Sequence, residues 1–289
     1  MSHGPSNEYR DRVLAQKTVW AAGAYDAFSA RMIERAGFDA VMTSGFGVSA
    51  SLLGMPDAEL YTMTENAGVV RNVANAVKIP VIADMDTGYG NAINVMRSIR
   101  EFENAGTSAV IMEDQIAPKR CPICVSGVET IGLEEAVKKI EAAVEARRNP
   151  NMLIIARTDV DSVPEAIRRA KAYVGAGADV IQPISNTFKD LDGLKTLRAE
   201  AGVPLSLQIL GWLEKDLTPE QIASVAGMAT FALVPLMTAA AALEKNLTQL
   251  AREKTSRNLP LERMEHREFI DIIGFPEIEE LQLKYLEQV

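Results

Sequence analysis

The chain has 289 residues, of which 47% are hydrophobic and 24% are charged, so it can bury a large core and has an ordinary globular composition. The formal net charge of −9 argues against general nucleic-acid binding, which needs a dense basic patch. Two cysteines and two histidines are too few for a disulfide framework or a four-ligand zinc site, which favours a reduced, cytoplasmic compartment.

Short apolar runs alternate along the chain with amphipathic, helix-like stretches. Residues 1–10 are predicted to be a polar tail, and they contain no signal-peptide core. The runs are apolar throughout, as expected for parallel strands that are buried on both faces. The eight predicted strands are residues 18–22, 40–43, 81–84, 109–112, 153–156, 180–183, 205–209 and 231–234. The clearest predicted helices are residues 27–36, 92–105, 134–148, 163–176 and 219–226.

Eight strand–helix units in a chain of this length predict one α/β domain over residues 1–289, a closed (β/α)8 barrel of the TIM type. An open dinucleotide-binding sheet is disfavoured because no Gly-x-Gly-x-x-Gly follows a strand. A membrane span over residues 221–243 is also disfavoured, since Gly227 and Pro235 interrupt it. Residues 256–289 are predicted to form a C-terminal extension with helices at 261–273 and 276–288, which need a packing partner such as a neighbouring subunit.

Acidic side chains follow two neighbouring predicted strands. Asp84 and Asp86 are two apart, so on a strand they share a face, and Glu113 comes from the next strand. In such barrels the active site lies at the carboxyl ends of the strands. Three carboxylates with little histidine indicate a site for Mg²⁺, with Mn²⁺ as a possible substitute. The alternative is that these acids cap the following helices.

Other candidate site residues follow the second and fifth strands. Arg157 is a cation among acids, which would clamp a substrate carboxylate or form an ion pair with Glu113 or Asp86. The backbone at Ser44, Gly45 and Phe46 offers N–H groups to an anion, although such turns are common.

A long loop after the fourth strand carries both cysteines. Cys121 lies beside Lys119 and Arg120, and neighbouring cations should lower the pKa of a thiol, which suits an acid/base role. The alternatives are a surface thiol pair or a redox Cys-x-x-Cys with Cys124. The redox alternative lacks its usual thioredoxin-type context.

These motifs resemble those of the isocitrate lyase/phosphoenolpyruvate mutase superfamily, within its methylisocitrate lyase/2,3-dimethylmalate lyase-like branch. The likeness extends from about residue 13 to the last helix. The matching segments are Ala24-Tyr25-Asp26-Ala27-Phe28-Ser29-Ala30, Thr43-Ser44-Gly45, Asp84-Met85-Asp86-Thr87-Gly88-Tyr89-Gly90-Asn91, Met112-Glu113-Asp114-Gln115 and Ile155-Ala156-Arg157-Thr158-Asp159. The segment from Asp84 to Asn91 is highly specific for this superfamily.

The resemblance implies one Mg²⁺, with Asp86 as direct ligand and Asp84 and Glu113 reaching it through water. It places Asp57 close by and implies that the backbone at residues 44–46 holds the carboxylate of a 2-oxo or 2-hydroxy acid. Arg157 would stabilise the developing enolate. The family's C-terminal helix swaps between subunits, usually in a homotetramer built as a dimer of dimers.

The loop motif separates branches of the family. In the carbon–carbon lyases, a loop with Lys-[Lys/Arg]-Cys-Gly-His carries the catalytic cysteine, and here Lys119-Arg120-Cys121 is in register. The resemblance therefore implies that Cys121 is the acid/base, which argues against phosphonopyruvate mutases and hydrolases.

The chain departs from the family pattern at the substrate end. Pro122-Ile123 replaces Gly-His, Ile184 replaces a glutamate, Met112 replaces a frequent histidine, and Gln208-Ile209-Leu210-Gly211 replaces an Asn-x-x-Glu stretch. Each change removes a polar or charged group that grips a larger acid. We therefore expect a smaller or more apolar acid than isocitrate, with Gln208 among the substrate-binding residues.

The resulting hypothesis is a Mg²⁺-dependent carbon–carbon lyase that cleaves a 2-hydroxy di- or tricarboxylic acid, of the 2-methylisocitrate or 2,3-dimethylmalate type, by retro-aldol chemistry. The base is left unidentified, and Tyr25 and Tyr89 are the nearest candidates. The alternatives are a 2-oxo-acid decarboxylase or hydrolase of the oxaloacetate type, a phosphonopyruvate-type mutase or hydrolase, and a non-enzymatic metabolite binder.

Overall fold

A computed structural model describes residues 6–286 except 123, 126 and 185. Its centre is a closed barrel of eight parallel strands in chain order, which confirms the predicted (β/α)8 fold. The strands are β1 Val19–Ala24, β2 Ala40–Thr43, β3 Val81–Asp84, β4 Ala109–Glu113, β5 Leu153–Thr158, β6 Val180–Pro183, β7 Leu205–Gln208 and β8 Ala226–Phe231.

Helices precede, connect and follow the strands. Those up to β8 are α1 Asn7–Leu14, α2 Ala27–Arg35, α3 Gly45–Leu53, α4 Met63–Ala76, α5 Ala92–Ala105, α6 Leu133–Ala146, α7 Val163–Gly175, α8 Leu191–Ala201, α9 Trp212–Asp216 and α10 Pro219–Ala223. After β8 come α11 Val234–Glu253, α12 His266–Ile272 and α13 Phe275–Tyr285.

The strands are apolar throughout because both of their faces are buried. One set of side chains, including Ile82, Ile111 and Leu153, fills the interior of the barrel. The alternate set, including Ala83 and Val110, packs outward against the helices. Filling both layers leaves the polar residues at the strand ends, where the site is built.

Capping residues fix where the connecting helices begin and end. The side chain of Asn91 accepts hydrogen bonds from the backbone N–H groups of Ile93 and Asn94 at the start of α5. Gly106 ends the same helix with φ near 100°, a conformation that glycine adopts without strain. The acidic segment before α5 is thus held between β3 and a well-defined helix start.

Three predicted boundaries were wrong. The last strand was expected at residues 231–234, but β8 ends at Phe231. A helix was expected at residues 219–226, but α10 ends at Ala223 and Gly227 lies inside this strand, where an added Cβ would lie 2.5 Å from the carbonyl oxygen of Val13. The supposed polar tail is helical from Asn7, because Tyr9 and Val13 are buried.

Backbone contacts divide the chain into two compact units, one ending at Pro235 and the other beginning at Leu236. The second unit therefore begins twenty residues before the predicted extension at 256. Its two later helices, α12 and α13, occur in the predicted order, but α12 begins at His266 and not at residue 261. The last two predicted helical residues lie outside the described chain. Within the described residues, no helix is both long and apolar enough to cross a lipid bilayer.

Candidate active site

The carboxyl ends of β3 and β4 bring the predicted acids together inside the protein. Asp84 ends β3, Asp86 follows two residues later, and Glu113 ends β4. All three side chains are almost fully buried, and Asp86 has no exposed surface. Burial of charged groups at this density requires compensating cations or metal.

The backbone after β3 is strained where it presents Asp86. Asp86 has φ near 50° and Tyr89 has φ near 62°, both in the left-handed region that residues with a Cβ rarely adopt. The Asp86 backbone N–H donates to Asp84 at 3.2 Å, and the Tyr89 hydroxyl donates to the Asp86 carboxylate at 3.2 Å. Strain of this kind persists only where surrounding contacts hold it, and it is frequent at functional sites.

Lys119 supplies the main positive charge to these acids. Its ammonium nitrogen lies 2.5 Å from Asp86 Oδ1 and 3.0 Å from Asp57 Oδ1. Burial alone would lower the pKa of Lys119, but Asp86 and Glu113 outweigh it and raise this pKa well above its ordinary value. Lys119 is therefore a charged, buried counterion to the acidic group.

The acids themselves are held in an environment that disfavours their charge. Burial, followed by repulsion from Asp84 and Asp57, raises the pKa of Asp86 to about 6 even though Lys119 opposes the shift. Burial also raises the pKa of Glu113 well above its usual range, against the attraction of Arg157. In both cases the effect of burial on the pKa outweighs the attraction of the nearby cation.

Arg157 is held on both sides by carboxylates, which confirms the geometry of the expected ion pair. Glu113 and Arg157 are paired residues of β4 and β5, and their side chains meet at 2.6 Å. On its other side Arg157 makes two parallel hydrogen bonds of 2.7 Å to Asp159. A planar guanidinium bound in this way has a fixed orientation at the cavity wall.

A second set of contacts supports Asp159. Its backbone N–H donates to Asp114 at 2.9 Å, and Asp114 in turn accepts from Arg169 and from the Tyr173 hydroxyl of α7. Gln115 donates to the Asp159 carboxylate at 2.5 Å. The orientation of Arg157 is thus tied to the barrel wall and to the loop that follows β4.

One cavity at the barrel mouth joins most of the predicted site residues. It holds about 570 Å³ of empty space, open mouth included. Its lining includes Ser44, Phe46, Asp57, Asp84, Cys121, Arg157, Ile184 and Gln208. Cys121 is buried, whereas Cys124 is exposed. Ile123, part of the predicted substitution in this loop, lies outside the described residues.

The backbone predicted to hold an anion lies at the start of α3, and one of its N–H groups is already paired. Ser44 caps the start of α3, so the N–H groups of the first turn face this end of the cavity. However, the Gly45 N–H donates to Asp84 at 3.2 Å. Gly45 is required here, since an added Cβ would lie 2.9 Å from both Asp84 and the Tyr61 hydroxyl. Of the three residues whose backbone was predicted to hold an anion, Ser44 and Phe46 line the cavity itself.

Tyr25 does not line this cavity, and its role as the catalytic base stays a prediction. Tyr25 lines a different cavity with Ser51 and Leu52, because the chain turns into α2 immediately after β1. Tyr89 does contact Asp86, but burial, and next the charge of Asp86, raises the pKa of Tyr89 well above its usual value. Tyr89 therefore keeps its proton and acts as a hydrogen-bond donor.

The acidic residues fit a hydrated magnesium ion. Buried oxygens of Asp57, Asp86 and Glu113 have no hydrogen-bond partner. The charges of Asp86 and Glu113 are balanced by ion pairs with Lys119 and Arg157. Among the described residues, no three acidic, cysteine or histidine side chains converge into a ready-made cage. Mg²⁺ commonly takes one or two carboxylates and keeps several waters, so it needs no such cage.

Sequence reasoning missed Lys119 and Tyr61 as members of the acidic group. Lys119 was considered only as a neighbour of Cys121, and 33 residues separate it from Asp86. The available signal was the charge balance, because four carboxylates with Arg157 alone require another cation. Tyr61 lies in a loop with no strand-end position, so no sequence signal indicated it.

The fold and the geometry of the site define the class of this protein. It is a (β/α)8 enzyme with an acidic site at the strand ends, whose charge is partly balanced by cations. The phosphoenolpyruvate phosphomutase family model matches residues 11–253. The chain is 38% identical to 2,3-dimethylmalate lyase of Eubacterium barkeri, covering 96% of each chain. It is 34% identical to 2-methylisocitrate lyase of Shewanella oneidensis, covering 92% of each.

A solved structure supports the same relationship. Phosphonopyruvate hydrolase, in a complex with oxalate and Mg²⁺, superposes with a TM-score of 0.88 at 30% identity, covering 99% of this chain and 100% of that one. The chain therefore belongs to the phosphoenolpyruvate mutase/isocitrate lyase superfamily, and within it to the enzymes that are carbon–carbon lyases.

Proposed function

We propose that this enzyme is a Mg²⁺-dependent lyase that cleaves the C2–C3 bond of a 2-hydroxy acid of the 2,3-dimethylmalate or 2-methylisocitrate type. The observation that carries this proposal is the position of Cys121. This thiol lines the same cavity as Asp84 and Arg157, so a proton donor is available in the cavity that we assign to the enolate. The relatives that act on such acids support the same reaction class.

The reaction is a retro-aldol cleavage. A base takes the proton of the C2 hydroxyl, the C2=O bond forms, and the C2–C3 bond breaks. The electron pair moves onto C3 and its neighbouring carbonyl as an enolate, which Cys121 protonates at carbon. A bound Mg²⁺, held by Asp86 directly and by Asp84 and Glu113 through water, would supply Lewis-acid polarisation of the 2-oxo acid.

The remaining groups bind and orient the substrate. The start of α3 at Ser44 and Phe46 faces the substrate carboxylate with helix N–H groups. Arg157, fixed by Glu113 and Asp159, places positive charge where the enolate develops without rearranging during the reaction. Cys121 is buried, so the proton donor itself is shielded from bulk water.

We further propose a cytoplasmic homotetramer, supported by the many exposed apolar side chains on α11 and α13, which suit subunit contacts. Mn²⁺ is the expected substitute for Mg²⁺ because both prefer oxygen ligands.

A hydrolase or decarboxylase acting on a 2-oxo acid is the second candidate. Its support is the similarity to phosphonopyruvate hydrolase over the whole chain. In that reaction the same acidic residues and their cations would stabilise an enolate, but a thiol would not be needed as proton donor.

Replacing Cys121 distinguishes the two candidates. For a lyase, Cys121→Ser should lower kcat about 100-fold or more, because general acid catalysis contributes about that much. Steady-state kinetics on a 2-hydroxy acid and on a 2-oxo acid is the measurement. Cys124→Ser is the matched control, and it should leave kcat within about twofold because Cys124 is exposed. Full activity of Cys121→Ser would favour the hydrolase or decarboxylase.

A further inference from the structure

The loop after β4 carries a second thiol that the proposed reaction does not use. Cys121 lines the cavity and is 9% exposed, whereas Cys124 belongs to the exposed surface. Both residues are thiols in this structure. Pro122-Ile123, which replaces the Gly-His of the family motif, lies directly between them. The Cys-x-x-Cys segment is therefore found where the chain departs from the family pattern.

The backbone folds this segment into one tight turn. The Cys121 carbonyl oxygen accepts hydrogen bonds from the backbone N–H groups of Cys124 at 3.0 Å and of Val125 at 3.1 Å. A turn that is closed between its first and fourth residues brings their Cα atoms within about 7 Å. A disulfide joins residues whose Cα atoms are about 4.4–6.8 Å apart. The turn therefore holds the two cysteines at about the separation that a disulfide bridges.

Pro122 favours the same turn. It occupies the second position, where the proline ring fixes φ near the value that the turn requires. One carbonyl accepts from both Cys124 and Val125, as in the first turn of a helix, and side chains three apart on such a turn lie on one face. The sequence alone gave the Cys-x-x-Cys no helix-like context, and this turn supplies one locally.

We propose that Cys121 and Cys124 form a reversible disulfide, with an oxidised low-molecular-weight disulfide of the glutathione type as the oxidant. The Cys124 thiolate attacks one sulfur of the oxidant, and the other sulfur leaves as a thiolate. The Cys121 thiolate then attacks Cys124 Sγ, and the second small thiolate leaves. Two protein thiols are oxidised and one small disulfide is reduced to two thiols, which take up the two protons.

Exposure decides which cysteine reacts first. Attack on a dissolved disulfide requires a thiolate that the oxidant can reach. Cys124 is exposed, whereas Cys121 is buried and meets an oxidised sulfur only when Cys124 carries it. In a reducing compartment, disulfides of this kind are usually transient and sense the redox state.

The disulfide inactivates the lyase, and this consequence rests on the proposed function. In the oxidised pair Cys121 has no proton to give, so the enolate is not protonated at carbon. The acids at the ends of β3 and β4 and Arg157 are chemically unchanged. Reduction of the disulfide by a small thiol restores the proton donor and with it the activity.

Formation of the disulfide is tested on the full chain with an excess of glutathione disulfide. Remaining thiols are alkylated under denaturing conditions, and trypsin then releases both cysteines in one peptide, residues 121–138. Mass spectrometry should find this peptide lighter by two hydrogens, with neither alkyl groups nor glutathione. A glutathione adduct without the internal bond, a disulfide between two chains, or unreacted thiols would overturn the proposal.

Single variants test the order of attack. Cys121→Ser lacks the second thiol, so glutathione should stay attached to Cys124. In Cys124→Ser the remaining thiol is buried, so glutathione should add to Cys121 at least about 10-fold more slowly. Circular dichroism verifies the fold of both variants. Equal rates of addition in the two variants would contradict the assigned order.

Activity tests the consequence separately. Oxidation of the unmodified enzyme should lower kcat at least about 100-fold, because the acid catalyst is lost, and dithiothreitol should restore it. Cys124→Ser should keep its activity in glutathione disulfide. Full activity of the enzyme with the disulfide in place would overturn the inactivation. A disulfide that forms as expected in a protein that cleaves no 2-hydroxy acid when reduced would contradict the proposed lyase function alone.

Discussion

At the scale of single residues, Lys119 decides how the acidic group is stabilised. Its ammonium lies between Asp57 and Asp86, where a divalent cation would otherwise balance the charge. A lysine and a metal ion in the same acidic group repel each other. We therefore expect the lysine to stabilise the metal-free enzyme and to weaken metal binding.

Lys119→Met tests this competition. Removing one partner of a buried ion pair leaves Asp86 uncompensated, so the metal-free protein should lose about 3 kcal/mol of unfolding free energy. Mg²⁺ should then raise the Tm of the variant by more than it raises that of the unmodified enzyme. Thermal unfolding in EDTA and in excess Mg²⁺ measures both effects.

Lys138→Met is the matched control. Lys138 forms an exposed pair with Glu141, with 64% and 50% of their side chains accessible. Such pairs contribute little, so its unfolding free energy should change by less than about 0.5 kcal/mol. Equal Mg²⁺ responses in Lys119→Met and in the unmodified protein would show that the lysine does not compete with metal.

The position of a candidate side chain could be predicted from the sequence where the residue ends a strand. Asp84, Glu113 and Arg157 could be placed because strand ends meet at one edge of a barrel. Tyr25 also follows a strand, yet the turn into α2 carries it to another cavity. Lys119 lies in a long loop, and the position of a loop side chain depends on contacts that no local pattern encodes.

At the scale of elements, the loop between β4 and α6 is tied to the barrel at several points. The Gln115 side chain joins Asp159 to the backbone N–H of Arg120, which precedes Cys121. On the other side, Glu59 accepts from the Lys119 backbone at 2.9 Å and from the Thr87 hydroxyl at 2.5 Å. These contacts position Cys121 over the cavity.

Gln115→Ala should loosen this loop. Loss of the Gln115 contacts leaves the Arg120 backbone N–H without its acceptor, and trypsin should then cut after Lys119 or Arg120 about 10-fold faster. Limited trypsin digestion followed by mass spectrometry locates the cut. Gln282→Ala, at an exposed position of α13, should leave the rate unchanged. Equal rates in both variants would mean that Gln115 does not hold the loop.

Elements were predictable where periodicity and caps agree, as for α5 with its flanking Asn91 and Gly106. The last strand was misplaced because residues 226–234 are apolar on both sides of the true boundary at Phe231. Apolar runs that pass directly from a strand into a helix contain no local signal for the junction.

At the scale of the whole molecule, the exposed apolar residues of the C-terminal unit require an explanation. Within the described chain, α11 has no buried residue, and Leu243 and Leu247 are 58% and 55% exposed. Apolar surface of this extent usually contacts another protein surface. The expectation of a tetramer with swapped C-terminal helices accounts for it and remains a prediction.

A double substitution on α11 tests the predicted assembly. Leu243→Glu with Leu247→Glu should convert the tetramer into smaller species, because burying two carboxylates in an apolar interface is strongly unfavourable. Sedimentation velocity gives the mass of each variant. Lys245→Glu, a charged change on the same helix, should keep the tetramer. A monomer in the unmodified protein would refute the assembly itself.

The most direct test of the proposed lyase is product analysis with the Mg²⁺-loaded enzyme. 2-Hydroxy acids and 2-oxo acids are incubated separately with the protein, and the products are identified by mass spectrometry. The account predicts stoichiometric release of pyruvate or glyoxylate with the second fragment, abolished by EDTA and by Asp86→Ala. Turnover of 2-oxo acids alone, or cleavage that persists without metal, would contradict it.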